Sequence, residues 1–392
     1  MKWYPNKTLA LVLLIGMLGA ACREHATREP SRTQAAKPLV TIGVVLPLTG
    51  NTSEYGQRAK RGIELAAEDL RSSGIDVRIV VDDDEGSSQK GVAAVTKLLD
   101  VDGAKFVIGA VSSTVTLSIL PVTDRKGALL FSPASSSPKL SGASPLFLRN
   151  WPSDVYEASA LARHTAERGI KRVVILYVNN DYGLGLQDEF TKTFAALGHT
   201  VVATEAYPLD ARDFRAVISK HRAVDGPGVA WYLAGYHKDM ALATKQIREG
   251  GVKAQILADA DYGIPETLEI AGAAAEGALY ASPWYDSDAN DTARAFARKH
   301  RTRFGRDASE FEGNGYDALM LIVNTIKAKG DQPTAVAQHI RTLRGYPGAG
   351  GNLTFTPLGD VVKPIALMQV QRGKFTRLAV LSPAETGSGS GK

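Results

Sequence analysis

KFVIGAVSSTVTLSILPVTDRKGALLFSPASSSP, residues 105–138, decides how the chain folds. Its apolar opening, FVIG, combines aromatic and β-branched residues over a length that suits a buried strand. Ala110-Val111-Ser112-Ser113-Thr114 follows, small and hydroxyl residues where a helix would start. Ile119, Leu120 and Val122 continue at helical spacing until Gly127. A second strand over 128–131 runs into Ser132-Pro133-Ala134-Ser135-Ser136-Ser137. Both strand ends thus finish in hydroxyls and unpaired backbone N–H groups. In an open parallel sheet both sit at the carboxyl edge, where ligands bind. A Ser/Thr-rich helix N-terminus also suits an anion, because its orphan N–H groups and dipole point at it. The same serines serve as caps and turn formers, and the sequence leaves that alternative open.

The pattern repeats outward from this stretch. Upstream, strands are expected over 40–46 and 77–81 and helices over 58–70 and 92–99, with a polar loop through Tyr55-Gly56. Strand and helix alternate, which means a parallel sheet covered on both faces. Downstream a second series starts after Asn150-Trp151-Pro152. It has expected strands over 172–177, 200–206, 228–233, 255–257 and 277–281, with helices between. Residues 106–127 and 229–251 share one order: strand, glycine, polar cluster, helix, glycine. Two similar α/β lobes fit better than one long sheet. Helices over 293–304, 316–328 and 334–343 and late strands over 353–355 and 364–371 complete the chain, and Gly/Ser-rich 381–392 reads as a disordered tail.

The 392 residues are 44% hydrophobic and 22% charged, ordinary for a globular protein with a sizeable core. The formal charge is +5. Residues 1–38 hold six basic and two acidic side chains, which leaves 40 against 39, net +1, for the remainder. A near-neutral folded part gives no reason to expect a nucleic-acid partner. Lys2 and Lys7 precede an apolar run over 9–19, too short to span a bilayer but right for a signal-peptide core. Leu18-Gly19-Ala20-Ala21-Cys22 then resembles a bacterial lipoprotein signal, with Cys22, the sole cysteine, as lipid anchor. Gly19 stands where that signal usually has Leu. Residues 23–38 read as a flexible tether. The protein is therefore expected in the periplasm or at the cell surface, held to the membrane by lipid.

Motifs for catalysis are missing. No G-x-S-x-G, G-x-G-x-x-G or G-x-x-x-x-G-K-[ST] follows a strand. The seven histidines lack metal-ligand pairing. Asp82 to Glu85 is a poor calcium loop, since Gly86 takes the fifth position. Neither enzyme activity, cofactor nor metal is expected.

Several runs resemble the type I periplasmic solute-binding proteins of the branched-chain amino-acid (Leu/Ile/Val) group: IGVVLPLTG…YG (42–56), FVIGAVSST (106–114), LLFSPASSSPKLS (129–141), RVVILYVNNDYGLG (172–185), GYHKDM (235–240), EIAGAAAEG (269–277), GYDALMLI (315–322) and GNLTFTPLGDVVKPIALMQV (351–370). Each is weak alone; their number and order over residues 39–380 are specific. The resemblance implies two doubly wound parallel-sheet lobes joined by a hinge. It puts 39–154 plus 285–353 in the first lobe and 155–284 plus 354–380 in the second. It implies an extracytoplasmic, monomeric protein that captures an amino acid or related small carboxylate and hands it to the permease and ATPase subunits of an ABC importer. A ligand-sensing receptor of the same fold is the alternative.

Carried over residue by residue, the resemblance places Ser113 and Ser136 as hydroxyls on the ligand carboxylate, with Ala134 offering a backbone group. Tyr55 becomes a ligand-facing aromatic of the first lobe. Tyr182 and Tyr236 shut over the ligand from the second; packing in the core or at the cleft rim is the alternative for all three tyrosines. Phe311 is a candidate for the side-chain pocket and equally for an ordinary core position. The family's acid for the ligand ammonium falls near Ala260, so Asp259 and Asp261 flank the position. If neither reaches the cleft, an amide, urea-like or aromatic-acid ligand gains ground.

Overall fold

A computed structural model describes residues 39–383. The expected leader, Cys22, the tether over 23–38 and residues 384–392 of the tail lie outside the described residues. The chain runs β1 (Thr41–Leu46), α1 (Ser53–Ser72), β2 (Arg78–Asp83), α2 (Ser88–Asp100), β3 (Phe106–Gly109), α3 (Ser113–Arg125), β4 (Leu129–Ser132) and β5 (Phe147–Arg149). These five strands form one parallel sheet in the order β2-β1-β3-β4-β5. The second series is α4 (Asp154–Glu167), β6 (Arg172–Val178), α5 (Asp181–Ala196), β7 (Thr200–Tyr207), α6 (Arg215–His221), β8 (Val229–Ala234), α7 (His237–Glu249), β9 (Gln255–Ala258), α8 (Pro265–Ala271) and β10 (Leu279–Pro283). Then come α9 (Asp291–Phe304), α10 (Glu310–Lys329), α11 (Pro333–Arg341), β11 (Tyr346–Gly348), β12 (Gly351–Phe355), β13 (Val361–Val362), β14 (Ile365–Gln371) and β15 (Lys374–Leu381).

The second sheet has the order β15-β14-β10-β9-β8-β6-β7. Strands β6 to β10 are parallel, and β14 and β15 add to the edge antiparallel. Central strands such as β3 and β8 are buried at every position, because helices cover both faces. The short β11-β12-β13 sheet belongs to the first lobe, where Phe355 packs on Phe131 and Asp360 pairs with Arg149. The chain therefore passes between the main sheets near 150–153, 284–290 and 363–364. The last break expected at 353–354 falls inside β12.

Three local readings change. Helix α1 begins at Ser53, so Tyr55 sits in its first turn rather than in a loop. Gly56 allows this close approach: a Cβ there would lie 2.0 Å from the Pro47 carbonyl oxygen. Strand β5 has three residues, too few to show a period. Strand β15 reaches Leu381, the first residue of the expected tail; as an edge strand, it carries too little apolar alternation to stand out.

Helices α1 and α10 meet through glycines. A Cβ on Gly62 would stand 1.9 Å from Glu312 O, and one on Gly315 2.2 Å from Ala59 O. Gly62→Ala must push the backbones apart in a close-packed core. We expect a loss of about 3 kcal/mol of unfolding free energy, read as a lowered urea midpoint with unchanged slope. An unchanged midpoint would show that the two helices do not pack this tightly.

Candidate functional site

The carboxyl ends of β3 and β4 carry the two hydroxyl clusters, and they are mostly bonded to one another. Ser132 Oγ donates to Ala110 O at 2.7 Å and accepts from Ser135 N at 2.9 Å. Thr116 Oγ1 and Ser135 Oγ lie 2.6 Å apart. The backbone N–H groups of Ser136 and Ser137 donate to Ser113 Oγ at 3.2 and 3.1 Å. The expectation of unpaired N–H groups is thus corrected for the second cluster, whose buried N–H groups found the neighbouring serines, while the N-terminus of α3 carries no side-chain cap. Even the N–H of Ala134 lies 3.3 Å from Ser132 Oγ. Ser113 Oγ accepts twice, so its own proton is the group left to offer a ligand.

Between the lobes lies a small cavity. Ser112, Ser113, Ala134 and Ser136 line its polar end from the first lobe. Val111, Trp151, Phe311 and Tyr55 form an apolar wall. Tyr182, Tyr236 and Asp261 face it from the second lobe. The rings form a continuous chain across the cleft: Trp151 to Phe311 at 4.8 Å, Phe311 to Tyr55 at 5.2 Å, Tyr55 to Tyr236 at 5.9 Å and Tyr236 to Tyr182 at 5.6 Å. Such contacts add to the burial energy of each ring.

The structure separates the two aspartates. Asp259, completely buried, accepts from Gly235 N at 2.6 Å and from Asp261 N at 2.9 Å. It ties the ends of β8 and β9 together and does not line the cavity. Asp261, two residues on, does. Burial raises the Asp261 pKa well above the usual carboxylate range, while the Tyr55 hydroxyl beside it pulls the other way. Burial likewise raises Asp259, reinforced by the charge of Asp261, and Glu157, reinforced by Asp259. Glu157 accepts from Ala260 N at 2.7 Å and so holds the Asp261 turn from α4. Asp154, next to Ser136, is pushed up to about 7 by burial. Asp261 is the one acid among the lining residues of the cavity, which include no lysine or arginine.

Polar contacts bridge the lobes. Tyr55 of α1 accepts from His237 N at 3.1 Å and lies 2.8 Å from His237 Nδ1. Thr114 exchanges hydrogen bonds with Asp181 at 3.1 Å, and Lys139 pairs with the same carboxylate at 2.8 Å. The cleft is shut. Of the residues singled out in the sequence, Tyr55, Ser113, Ala134, Ser136, Tyr182, Tyr236, Asp261 and Phe311 come together at one cavity, and Asp259 stands behind it. Trp151, Val111 and His237 were missed. Trp151 sits beside Pro152 at the first crossing, a place that reads only as a chain break.

Ser113→Ala illustrates the double use of one hydroxyl. It removes a donor from the cavity and leaves two buried N–H groups without an acceptor. Both affinity and stability should fall, the latter by about 1–3 kcal/mol. Calorimetric titration beside a denaturant curve checks this; a variant as stable as the parent would contradict the double acceptor role of Ser113 Oγ.

Two α/β lobes closed over a small cavity, polar at one end and apolar along its wall, define a hinged solute-binding protein. Residues 39–374 match the periplasmic binding protein family, and the chain belongs to it. It is 29% identical to the Leu/Ile/Val-binding protein homolog 3 of Brucella melitensis, over 84% of this chain and 90% of that one. It is 28% identical to the leucine-, isoleucine-, valine-, threonine- and alanine-binding protein of Pseudomonas aeruginosa, over 83% and 88%. The crystal structure of a leucine-binding protein from Thermotoga maritima superposes with a TM-score of 0.82 at 28% identity, covering 88% of this chain and 99% of that one. The protein is accordingly a substrate-binding protein of the ABC importer class, exported to the periplasm, and not an enzyme. Among the described residues no helix is long and apolar enough to cross a membrane.

Proposed function

We propose that the protein captures an apolar α-amino acid and delivers it to the permease of an ABC importer, whose ATPase supplies the energy. One observation carries the reading: Asp261 and the Ser113 hydroxyl line the same cavity as an apolar wall of Val111, Trp151 and Phe311. An amino acid has a cation, an anion and a side chain to match all three. The ligand carboxylate takes the Ser113 proton and the Ser136 hydroxyl, its ammonium takes Asp261, and Tyr55, Tyr182 and Tyr236 close over it. A bare aromatic acid or an amide would leave Asp261 without a cation, and in a cavity with no basic side chain a lone carboxylate is repelled. The names of the relatives from Brucella, Pseudomonas and Thermotoga point the same way. We further read Cys22 as the lipid tether that keeps a monomeric protein near its importer.

Calorimetric titration with leucine, valine and benzoate tests the reading. The amino acids should bind and benzoate should not; no heat with any amino acid, or benzoate as the tighter ligand, would overturn it. The pH dependence adds a sign. The pKa of unliganded Asp261 is raised by burial, and an ammonium beside it lowers that value again. Binding then expels a proton between the two values, so affinity falls as pH drops through the raised one, by up to about tenfold per pH unit.

A further inference from the structure

The end of the first lobe opposite the cleft carries a surplus of basic side chains. Strand carboxyl ends and helix N-termini share one edge of a parallel α/β sheet. Here that edge bears the cavity, so the strand starts and the helix C-termini lie at the far pole. Phe311, near the start of α10, lines the cavity, so the end of α10 lies at that pole as well. Helices α1, α2, α3 and α10 all bring bases there in their last turns: Arg71, Lys97, Arg125, and Lys327 with Lys329. Contacts join the pole into one face. Arg78 pairs with Asp102 at 3.1 Å, Lys126 with Asp100 at 2.6 Å and Lys105 with Asp331 at 3.1 Å. Leu39 N donates to Asp76 O at 2.8 Å, so the chain enters the first lobe on this same face.

The pairing leaves one sign over. Arg71, Arg125, Lys327 and Lys329 are exposed and have no hydrogen-bond or ion-pair partner among the described residues. Lys97 and Asp82 pair at 2.9 Å and cancel. The other charges of the face are seven bases, these four with Arg78, Lys105 and Lys126, against the four acids Asp76, Asp100, Asp102 and Asp331, net +3. Residues 39–392 hold 40 bases and 39 acids, which leaves 33 against 35, net −2, for everything else. Part of the bias answers the helix dipoles. The long side chains still carry their charge into solvent. Among them stand two exposed apolar residues, Val101 at 77% and Leu39 at 46%.

We propose that this pole of the first lobe rests on a bilayer of anionic phospholipid, its bases on the headgroup phosphates and Val101 and Leu39 against the acyl boundary. The proximity rests on the reading of Cys22 as a lipid anchor; the charge of the face does not. Residues 23–38 lead into the pole and add four bases against two acids. A flexible chain of that length spans about 20–24 Å on average and about 55 Å at most, so an anchor at Cys22 keeps the pole within reach of the headgroups. Each basic group at an anionic surface raises partitioning about fivefold, within a Debye length. A few such groups bind weakly alone and usefully beside an anchor in the same bilayer. Because the cavity lies at the opposite edge of the sheet, the cleft stays clear of the headgroups and free to fill.

The test is flotation with vesicles of phosphatidylcholine, alone or mixed with phosphatidylglycerol. It uses the chain from residue 22 onward carrying Cys22→Ser, so that no lipid is attached. Residues 39–383 hold both main sheets and the helices that cover them, so this chain keeps its fold. It should bind the mixed vesicles only, and salt should release it. Arg71→Glu with Arg125→Glu, and Lys327→Glu with Lys329→Glu, should each weaken binding by about twentyfold or more. All four positions are exposed, so both variants should melt as the parent does. Lys245→Glu with Lys374→Glu, exposed on the second lobe, should have a much smaller effect. No binding to the mixed vesicles overturns the proposal, the result expected if an acidic protein segment were the occupant. An equal loss from the second-lobe pair overturns it too, since overall charge would then be the cause. Finding no lipid on Cys22 of the exported protein would overturn the anchor and leave the vesicle result standing.

Discussion

Asp261→Asn should weaken amino-acid binding by a hundredfold or more while the protein stays folded. In the function proposed above, the ligand ammonium pairs with Asp261, and no lysine or arginine lines the cavity. Removing one partner of such a pair costs about 3–5 kcal/mol, which is roughly a hundredfold to a few thousandfold in affinity. The fold should tolerate the change. An acid whose folded pKa is raised binds more protons folded than unfolded, so it subtracts stability as pH rises from its unfolded value toward the folded one. Asp261 is such a group, and Asn in its place removes that penalty at neutral pH. The melting temperature of the unliganded variant should equal or exceed that of the parent. Asp259→Asn should behave in the opposite way. Its carboxylate accepts from two backbone N–H groups, and an amide can accept at only one of its two termini. Stability should drop by about 1–3 kcal/mol. Titration calorimetry and thermal melts on the two variants separate a ligand contact from a structural tie. A folded Asp261→Asn protein with unchanged affinity would remove this residue from the site.

That contrast also marks how far the sequence could be read. The hydroxyl clusters after β3 and β4 were legible because strand, small residues and helix occur in order, and the switch-point rule then places both at one edge. The aspartate question was not. Asp259 and Asp261 are equally polar, and only backbone geometry decides that one turns to Gly235 N and the other to the cleft. Tyr55 and His237 are 182 positions apart and meet across the two lobes, which no local pattern encodes. Ser113 looked like a simple donor, yet the need to satisfy two neighbouring N–H groups gave it a structural duty as well. Short edge elements such as β5 and β15 were missed for a plainer reason: three residues, or an alternation with much of its length exposed, give no period to detect.

Arg149→Met should be the most damaging single change remote from the ligand, and it tests why the second hydroxyl cluster holds its shape. Arg149 is completely buried, an unusual place for a cation. Its Nε donates to Asp360 Oδ1 at 2.7 Å. Nη1 donates to Ser137 O at 2.9 Å and to Ser135 O at 3.3 Å, and Nη2 to Ser141 Oγ at 2.8 Å. One guanidinium thus fastens the loop bearing Ala134 and Ser136 to the segment just before the third crossing. Methionine fills much of the volume but strands a buried carboxylate and two carbonyls, so about 3–5 kcal/mol should be lost. Lysine should not rescue, since a single ammonium cannot reach four acceptors spread around a planar fork. Pairing Arg149→Met with Asp360→Leu should recover part of the loss, because the orphaned charge goes with it, and the non-additivity in a double-mutant cycle measures the pair. Affinity should fall together with stability in Arg149→Met, as the loop that presents Ser136 loosens. Were the variant destabilised yet bound its ligand as tightly as the parent, the loop would be holding its form without Arg149, and the geometry of the carboxylate end would need another cause.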